Sequence, residues 1–270
     1  MDEKTEITKA IQEVVSSMME RVLHNVLVKD PFSLDAIIKD KPLYAALVPE
    51  QVFKGSHFER RFVTPFGKLW EKIAVVVAKH RWGIGALNHT IVGKVKEGRI
   101  QRISEVLNSL EHKNEAKNRI RPSWEKELRY VLEGDGKLVT ATVICDVYAE
   151  DPKTKRKAAF ELKAPMPNSD QSKVSKEKLL KLFSMEDHPV NEAFYALPYN
   201  PYGKREDYAW SFPSRWFDMK TDPVVLIGEE FWNKIGGEGT YRTMIAAVNE
   251  IGAKYKKRIL EEYLDGKLRR

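Results

Sequence analysis

Two apolar runs near the middle of the chain, joined by a polar turn, restrict the fold more than any other feature. Residues 142–147 are rich in β-branched side chains, and residues 160–163 alternate apolar with polar ones. The intervening residues 149–156 are mostly polar and include a proline, a composition typical of a turn. The pattern predicts a β-hairpin with strands over about residues 137–148 and 157–163.

Two acids and a lysine lie near the strand ends of this hairpin. Asp146 stands near the end of the first strand, and Glu161 and Lys163 share one face of the second, because side chains alternate along a strand. Phe160 and Leu162 are then expected on the core face. A metal-dependent phosphodiesterase needs oxygen ligands for a hard cation and a positioned group beside the attacking water. The hairpin would bring such groups together, which predicts a nuclease-like site.

An acid two residues before a lysine is a weak signal by itself, because the chain contains eight such triplets and 31% of its residues are charged. The triplet at Glu161 is the one that combines an apolar strand, a hairpin partner with a carboxylate and a following helical pattern. The alternative interpretation is a surface salt bridge between Lys163 and one of the acids, which would contribute under about 1 kcal/mol.

Composition restricts the class of protein. The chain has 270 residues, 42% of them hydrophobic, which is enough to form a core. A net charge of +7 favours a polyanionic partner. The single cysteine, Cys145, excludes an internal disulfide and a thiolate zinc cluster and favours a reducing compartment. The sequence has no bilayer-spanning apolar run and no signal-peptide pattern, so we expect a soluble cytoplasmic protein without a membrane partner.

Helix and strand patterns indicate the domain organisation. Helical spacing of apolar residues occurs over residues 5–29, 66–79, 100–118, 172–186 and 240–264, and strand patterns occur over 192–197 and 223–227. The alternation after residue 66 predicts an α/β (α+β) fold with a central mixed sheet flanked by helices. Residues 1–65 would form a helical N-terminal region, a candidate for dimerisation or DNA contact, and residues 66–270 the core with its C-terminal helix. A single domain is the alternative.

The hairpin resembles the active-site strands of the PD-(D/E)xK nuclease superfamily. The resemblance rests on Asp146, the turn, Glu161-x-Lys163 and the following helix, and it covers about residues 66–230. Two segments look most like the TdeIII/MjaII type of restriction endonuclease, whose members cut GGNCC-type sites. They are Phe-Glu-Arg-Arg-Phe-Val-Thr-Pro-Phe-Gly at 58–67 and Glu-Leu-Lys-Ala-Pro-Met-Pro-Asn-Ser-Asp-Gln-Ser-Lys at 161–173. The chain departs from the name pattern of the superfamily in having Cys145 where that pattern has proline.

The resemblance implies a type II restriction endonuclease with a restriction-endonuclease-like core. Asp146 and Glu161 would bind Mg²⁺ together with the backbone carbonyl of Leu162, and Mn²⁺ would be able to substitute for it. Lys163 would orient or deprotonate the attacking water and offset charge on the phosphoryl group.

Further candidate residues lie outside the hairpin. Many superfamily members carry a glutamate in the helix before the sheet, and Glu71 is our first candidate for it, with Glu59 as the second. The loop over residues 198–221 is rich in aromatic and basic residues, and it is either a base-reading element or an ordinary aromatic-anchored loop. The candidate DNA contacts in this loop and in the segment after the catalytic strand are Gln171, Lys173, Lys204, Arg205 and Arg215.

The implied substrate is double-stranded DNA with a short palindromic or interrupted-palindromic site. One catalytic set cuts one strand, so we expect a homodimer, with the helices over 5–29 and 240–264 as candidate interface elements. No phosphate-binding loop or methyltransferase-like glycine motif occurs, so neither ATP nor S-adenosylmethionine is expected, and a separate cognate DNA methyltransferase is implied. A repair or recombination nuclease with the same core and a non-catalytic basic DNA-binding protein are the alternatives.

Overall fold

The structure, a computed structural model, describes residues 3–112 and 119–264. Two compact units are formed, one by the described parts of Met1–Ile73 and Arg242–Arg270 and the other by Ala74–Tyr241. The C-terminal helix therefore belongs with the N-terminal helices in this division. The boundary at residue 65 and a core over 66–270 stay predictions.

The described helices and strands follow one another in mixed order. The helices are α1 (Glu3–His24), α2 (Leu34–Asp40), α3 (Pro42–Leu47), α4 (Glu50–Trp82), α5 (Glu97–Glu111), α6 (Trp124–Leu132), α7 (Ser169–Phe183), α8 (Glu229–Gly236) and α9 (Thr240–Arg258). The strands are β1 (Ile84–Lys96), β2 (Leu138–Asp151), β3 (Arg156–Leu162), β4 (Glu192–Leu197) and β5 (Val225–Ile227). Among these helices, none has the length and apolar composition that crossing a bilayer requires.

The helical unit forms where apolar residues recur every three to four positions. Ile11, Met18 and Val22 of α1 are buried at this spacing. The helices expected over residues 5–29 and 240–264 are present as α1 and α9, and each is followed by a π-helical turn, Asn25–Lys29 and Ile259–Leu264 respectively.

α4 is longer than the helix expected over residues 66–79, because it continues through Pro65. A proline inside a helix removes one backbone hydrogen bond and normally bends or ends the helix. Here a row of aromatic side chains four residues apart crosses the proline, with neighbouring ring centroids 5.0–5.9 Å apart. The row consists of Phe58, Phe62, Phe66 and Trp70. Its stacking along the helix favours continuation across the proline.

The second unit contains the expected mixed sheet, flanked by helices. Its strands lie in the order β1-β2-β3-β4-β5. The pairs β1–β2 and β2–β3 are antiparallel, and β3–β4 and β4–β5 are parallel. The hairpin predicted from the sequence is the β2–β3 pair, and α7 provides the crossover between β3 and β4. The fold class predicted from the sequence is confirmed.

Strand β1 was not predicted. The strand contains two glycines and lies at the sheet edge, where nearly half of its residues are exposed, so its apolar alternation is weak. Gly85 is required there, because a Cβ atom would lie 2.6 Å from the backbone oxygen of Val75. The close approach of α4 to β1 therefore depends on a residue that weakens the strand signal in the sequence.

Two expected element boundaries differ from the structure. The helix expected over residues 100–118 is α5, which ends at Glu111, and residues 113–118 lie outside the described residues. The helix expected over residues 172–186 is α7, which begins three residues earlier, at Ser169. Asn168 starts this helix early, because its side chain accepts a hydrogen bond from the backbone N–H of Gln171.

Candidate active site

Asp146, Glu161 and Lys163 lie together on neighbouring strands. The antiparallel register of β2 and β3 pairs Val147 with Phe160, so Asp146 and Glu161 are the next residues on facing strands. Lys163 follows β3 directly, and its Nζ lies 2.6 Å from Asp146 Oδ2 and 3.3 Å from Glu161 Oε2. The structure therefore brings these three sequence-predicted residues together.

Both faces of β3 are covered. Phe160 packs against Phe231 of α8 on one face, with ring centroids 5.7 Å apart. On the other face Glu161 meets Lys178 of α7 and is only 1% exposed. The core face expected from the alternation is present, but the opposite face is buried as well. The Glu161 carboxylate is consequently desolvated and depends on its protein partners.

Lys178 is a member of the site that the sequence did not reveal. Its Nζ donates to Glu161 Oε1 at 2.9 Å and Oε2 at 3.0 Å, and to the carbonyl oxygen of Ile144 at 2.6 Å. Glu161 thus lies between two ammonium groups, those of Lys163 and Lys178. The two acids and two lysines of the site balance in formal charge when all four are ionised.

The two oxygens of Asp146 have different surroundings. Oδ2 accepts hydrogen bonds from the backbone N–H of Leu162 at 2.9 Å and from Lys163, whereas Oδ1 accepts none from the described residues. Carboxylate oxygens are the ligands that Mg²⁺ prefers, so the donor set fits a hard cation. Residues 3–112 and 119–264 contain no group of three or more His, Cys, Asp or Glu side chains arranged to hold a metal. Backbone carbonyl, water or phosphate oxygens would have to complete the coordination.

Burial and neighbouring charges shift the pKa values at the site. Burial raises the pKa of Glu161 and Asp146 raises it further, against the opposing effect of Lys163 and Lys178. Burial alone would lower the pKa of Lys163, but the carboxylates of Asp146 and Glu161 outweigh it and the pKa is raised. Lys163 therefore holds its proton at neutral pH. Burial also raises the pKa of the adjacent Cys145 thiol to about 12.

The lysines of α7 do not all face solvent. Lys176 is fully buried, forms an ion pair with Glu127 and donates to the carbonyl oxygen of Trp216 at 2.5 Å. Burial lowers its pKa. Helical spacing from the buried Leu179 could have indicated its position, since residues three apart share a helix face. The sequence has no comparable spacing pattern to indicate that Lys178 contacts Glu161.

The predicted DNA contacts at the start of α7 are engaged within the protein. The Gln171 side chain accepts from the backbone N–H of Asn168 at 3.4 Å and completes the helix cap. Lys173 forms an ion pair with Glu111, and its Nζ lies 5.7 Å from the ring centroid of Trp216. A role for Gln171 or Lys173 in DNA contact stays a prediction.

The aromatic loop is anchored to the segment that follows Lys163. The Tyr208 hydroxyl donates to the carbonyl oxygen of Pro165, and Trp210 Nε1 donates to that of Pro167, each at 2.8 Å. These contacts fit the aromatic-anchored interpretation of the loop for Tyr208 and Trp210. They also fix the loop to the strand end that carries Lys163.

The basic residues of this loop lie in different surroundings. Arg205 donates to the carbonyl oxygens of Met219 at 3.0 Å and Asp222 at 2.7 Å, so its guanidinium holds the loop together. Lys204 is exposed and Arg215 is half-buried. Contact of these residues with DNA stays a prediction, and Lys204 and Arg215 are the better placed for it.

The two candidate glutamates before the sheet both lie on α4. Glu71 is half-buried and Glu59 is exposed. Both belong to the helical unit. The assignment of either residue to the metal site stays a prediction.

Comparison with known proteins identifies the family. A family model described as "Type II restriction endonuclease, HinfI" matches residues 7–252. The chain is 27% identical to the type II restriction enzyme HgiEI of Herpetosiphon aurantiacus, with 97% of this chain and 96% of the relative covered. It is 26% identical to the type II restriction enzyme HgiBI of the same organism, again with 97% of this chain and 96% of the relative covered. It is also 29% identical to the type II restriction enzyme MjaII of Methanocaldococcus jannaschii, over 58% of this chain and 45% of that relative.

The family model spans most of the chain and includes both strands of the site. Type II restriction endonucleases cut DNA at specific sites and generally use divalent metal ions. The resemblance seen in the sequence, including that to MjaII, is confirmed. The chain belongs to the HinfI family of type II restriction endonucleases.

Proposed function

We propose that this restriction endonuclease is Mg²⁺-dependent and cuts both DNA strands at a short palindromic or interrupted-palindromic site of the GGNCC type. The observation that carries the proposal is the convergence of Asp146 with Glu161 and Lys163 on two neighbouring strands. Glu161 and Lys163 lie at the end of β3, whereas Asp146 lies inside β2, which continues to Asp151 instead of ending near residue 148. The site sequence rests on the resemblance to the MjaII type.

In this proposal Asp146 and Glu161 hold the metal, with the backbone carbonyl of Leu162 as a further ligand. Support comes from Asp146 Oδ1, which accepts no hydrogen bond from the described residues, and from the position of Leu162 beside Glu161 in β3. Bound Mg²⁺ would polarise the scissile phosphate and lower the pKa of a water molecule, and Mn²⁺ would substitute for it.

Lys163 acts in its protonated form. Its ammonium lies between Asp146 and Glu161, which raise its pKa and fix its position. A positive charge held in place there can orient a water molecule through its lone pair and stabilise charge that develops on the phosphoryl group. Proton abstraction by Lys163 would first require the negative charge of both carboxylates to be offset.

Lys178 is a positioning residue. Both oxygens of the buried Glu161 accept from its Nζ, which leaves the carboxylate one orientation. A second contact, to the carbonyl oxygen of Ile144 in β2, fixes the ammonium itself. Lys178 thereby ties α7 to both strands of the site.

The test of the function is incubation of a plasmid of known sequence with the protein and Mg²⁺, followed by sequencing of the ends. We expect discrete fragments whose ends share one short symmetric sequence, without added ATP or S-adenosylmethionine. Nicking confined to branched DNA, or DNA binding without any cleavage in Mg²⁺ or Mn²⁺, would contradict the proposal.

We also propose a homodimer, because two catalytic sets would align with the two strands of a symmetric site. The apolar stripe of α1 is largely buried within the chain and that of α9 is only partly exposed, so we place the interface on the more exposed helices α2 and α3. Neither of these helices has a buried residue, and Leu43 and Leu47 are 78% and 83% exposed. Exposed apolar clusters of this kind mark interaction surfaces.

The dimer is tested by sedimentation of the wild type and of the double variant that carries Leu43→Glu and Leu47→Glu. We expect a wild-type dimer at micromolar concentration and a monomeric double variant. The control is Val92→Glu, which replaces an apolar side chain that is 54% exposed on β1. A wild type that stays monomeric on cognate DNA and still makes double-strand breaks in one binding event would contradict the proposal.

We further propose that the enzyme acts in the cytoplasm beside a separate DNA methyltransferase. An enzyme that cuts a short DNA site has targets in its own cell, so those sites need protection. Expression in a host without the modification should damage host DNA, and co-expression of the cognate methyltransferase should prevent the damage. Harmless expression of an active enzyme without modification would contradict this.

A further inference from the structure

A groove with a basic lining runs between α1 and α4 in the helical unit, and we call it the basic groove. It has a volume of about 590 Å³. Asn25 and Lys29 of the π-helical turn Asn25–Lys29 are among its lining residues. Its permanently charged lining residues are Glu20 and five cations, namely Arg21, Lys29, Arg61, Lys68 and Lys72.

Among the described residues, four of the five cations have no counter-ion. Arg61 pairs with Asp30, and Glu20 pairs with Arg258. By contrast, Arg21, Lys29, Lys68 and Lys72 have no side-chain hydrogen bond or ion pair within residues 3–112 and 119–264. Unpaired like charges around one concave surface repel each other and create a positive potential. A bound polyanion would relieve the repulsion.

Two departures from regular helix geometry border the basic groove. α1 passes into the π-helical turn Asn25–Lys29, and Pro65 of α4 cannot donate a hydrogen bond to the carbonyl of Arg61. Asn25 and Pro65 both line the groove. π-Helical turns and internal prolines bend or widen helices, and π-helical turns occur frequently at functional sites.

We propose that the basic groove binds the phosphodiester backbone of duplex DNA, an inference that rests on the proposed function for its ligand. Three of the four unpaired cations, Arg21, Lys29 and Lys68, are exposed, and Lys72 is half-buried. Flexible cations along an open groove suit a long polyanion, whereas a small anion needs a more enclosed set of donors. Phosphate contacts carry no sequence information, so the groove contributes equally to cognate and non-cognate DNA.

The test compares the salt dependence of DNA binding between the wild type and the double variant that carries Lys68→Gln and Lys72→Gln. Affinity is measured between 50 and 200 mM salt without divalent metal, on one duplex that contains the mapped site and one that lacks it. Each lost phosphate contact lowers the slope of log affinity against log salt by about 0.9. Over this range the wild type should therefore lose about 12-fold more affinity than the double variant, on both duplexes.

The control is Lys126→Gln with Lys137→Gln, which makes the same charge change at two exposed lysines of the other unit. A groove variant whose slope matches this control would overturn the proposal. If the double variant does not fold, each single variant should show an effect of about 3.5-fold. A wild type that binds DNA but never cuts it would overturn the proposed function and leave the slope comparison as the test of the groove.

Discussion

Replacement of Lys178 by methionine should destabilise the metal-free protein and tighten its binding of divalent cations. The substitution keeps most of the apolar stem but removes the ammonium that donates to both oxygens of Glu161. Glu161 is 1% exposed, so water cannot replace the lost hydrogen bonds. Lys163 then remains as the ammonium in contact with this carboxylate, 3.3 Å from Oε2.

The size of the effect follows from the burial of the pair. A hydrogen bond to a charged group contributes about 1.5–3 kcal/mol, and loss of one partner leaves the other desolvated. The Lys178 side chain is 25% exposed and Lys163 stays in place, so we expect the lower part of that range. The free energy of unfolding should fall by about 2 kcal/mol. Removal of one positive charge should raise the affinity for Ca²⁺ by about tenfold, equivalent to about 1.4 kcal/mol.

Urea unfolding and calorimetric titration with Ca²⁺ measure the two effects. Lys181→Met is the matched control, because Lys181 lies one turn further along α7 and pairs with the partly exposed Glu177. Its loss should cost at most about 0.5 kcal/mol. An unfolding free energy that falls no further for Lys178→Met than for Lys181→Met would refute the structural role of Lys178. A lowered Ca²⁺ affinity would refute the argument that loss of the positive charge of Lys178 favours cation binding.

Three further outcomes are expected. Because burial raises its pKa to about 12, the Cys145 thiol should resist iodoacetamide at pH 8 until the protein is unfolded in urea, and rapid labelling of the folded protein would contradict its burial. Lys176 has a folded-state pKa below its unfolded value, so between these two pH values the unfolded chain binds more protons and the stability of the fold should rise with pH. Thermal unfolding from pH 7 to 10 should show this rise for the wild type relative to Lys176→Met. Parallel curves for the two proteins would contradict it. In a Mg²⁺ titration of cleavage, Glu71→Gln should need more metal than the wild type and Glu59→Gln should not, and the reverse would transfer the role to Glu59.

The β2–β3 hairpin could be predicted from the sequence because its determinants are local. β-Branched residues, a polar turn and alternation lie within about 25 residues of each other, and the register that places Asp146 opposite Glu161 follows from the turn. The mixed sheet followed from the order of the elements. Family membership then decides between the alternatives left open by the sequence, in favour of a site-specific endonuclease.

The features that were missed depend on contacts between distant residues. Lys178 faces the site because α7 crosses both β2 and β3, and a lysine-rich helix gives no sign of which lysine will be covered. β1 is a strand because β2 pairs with it over nearly its whole length, although its own residues favour a strand weakly. Tertiary context decided both cases, as it commonly does for edge strands and for helix faces.

The most direct measurement is the cleavage rate of Asp146→Ala, Glu161→Ala and Lys163→Ala in Mg²⁺, with DNA binding measured in parallel. Asp151→Ala is the control, because Asp151 and Lys153 form another acid-x-lysine triplet, in which the acid accepts from Thr154 within the turn. We expect each of the first three variants to lose at least about a thousandfold in rate while keeping its fold and DNA affinity, and the control to cut normally. Near wild-type cutting by Asp146→Ala, Glu161→Ala or Lys163→Ala would show that the active site lies elsewhere.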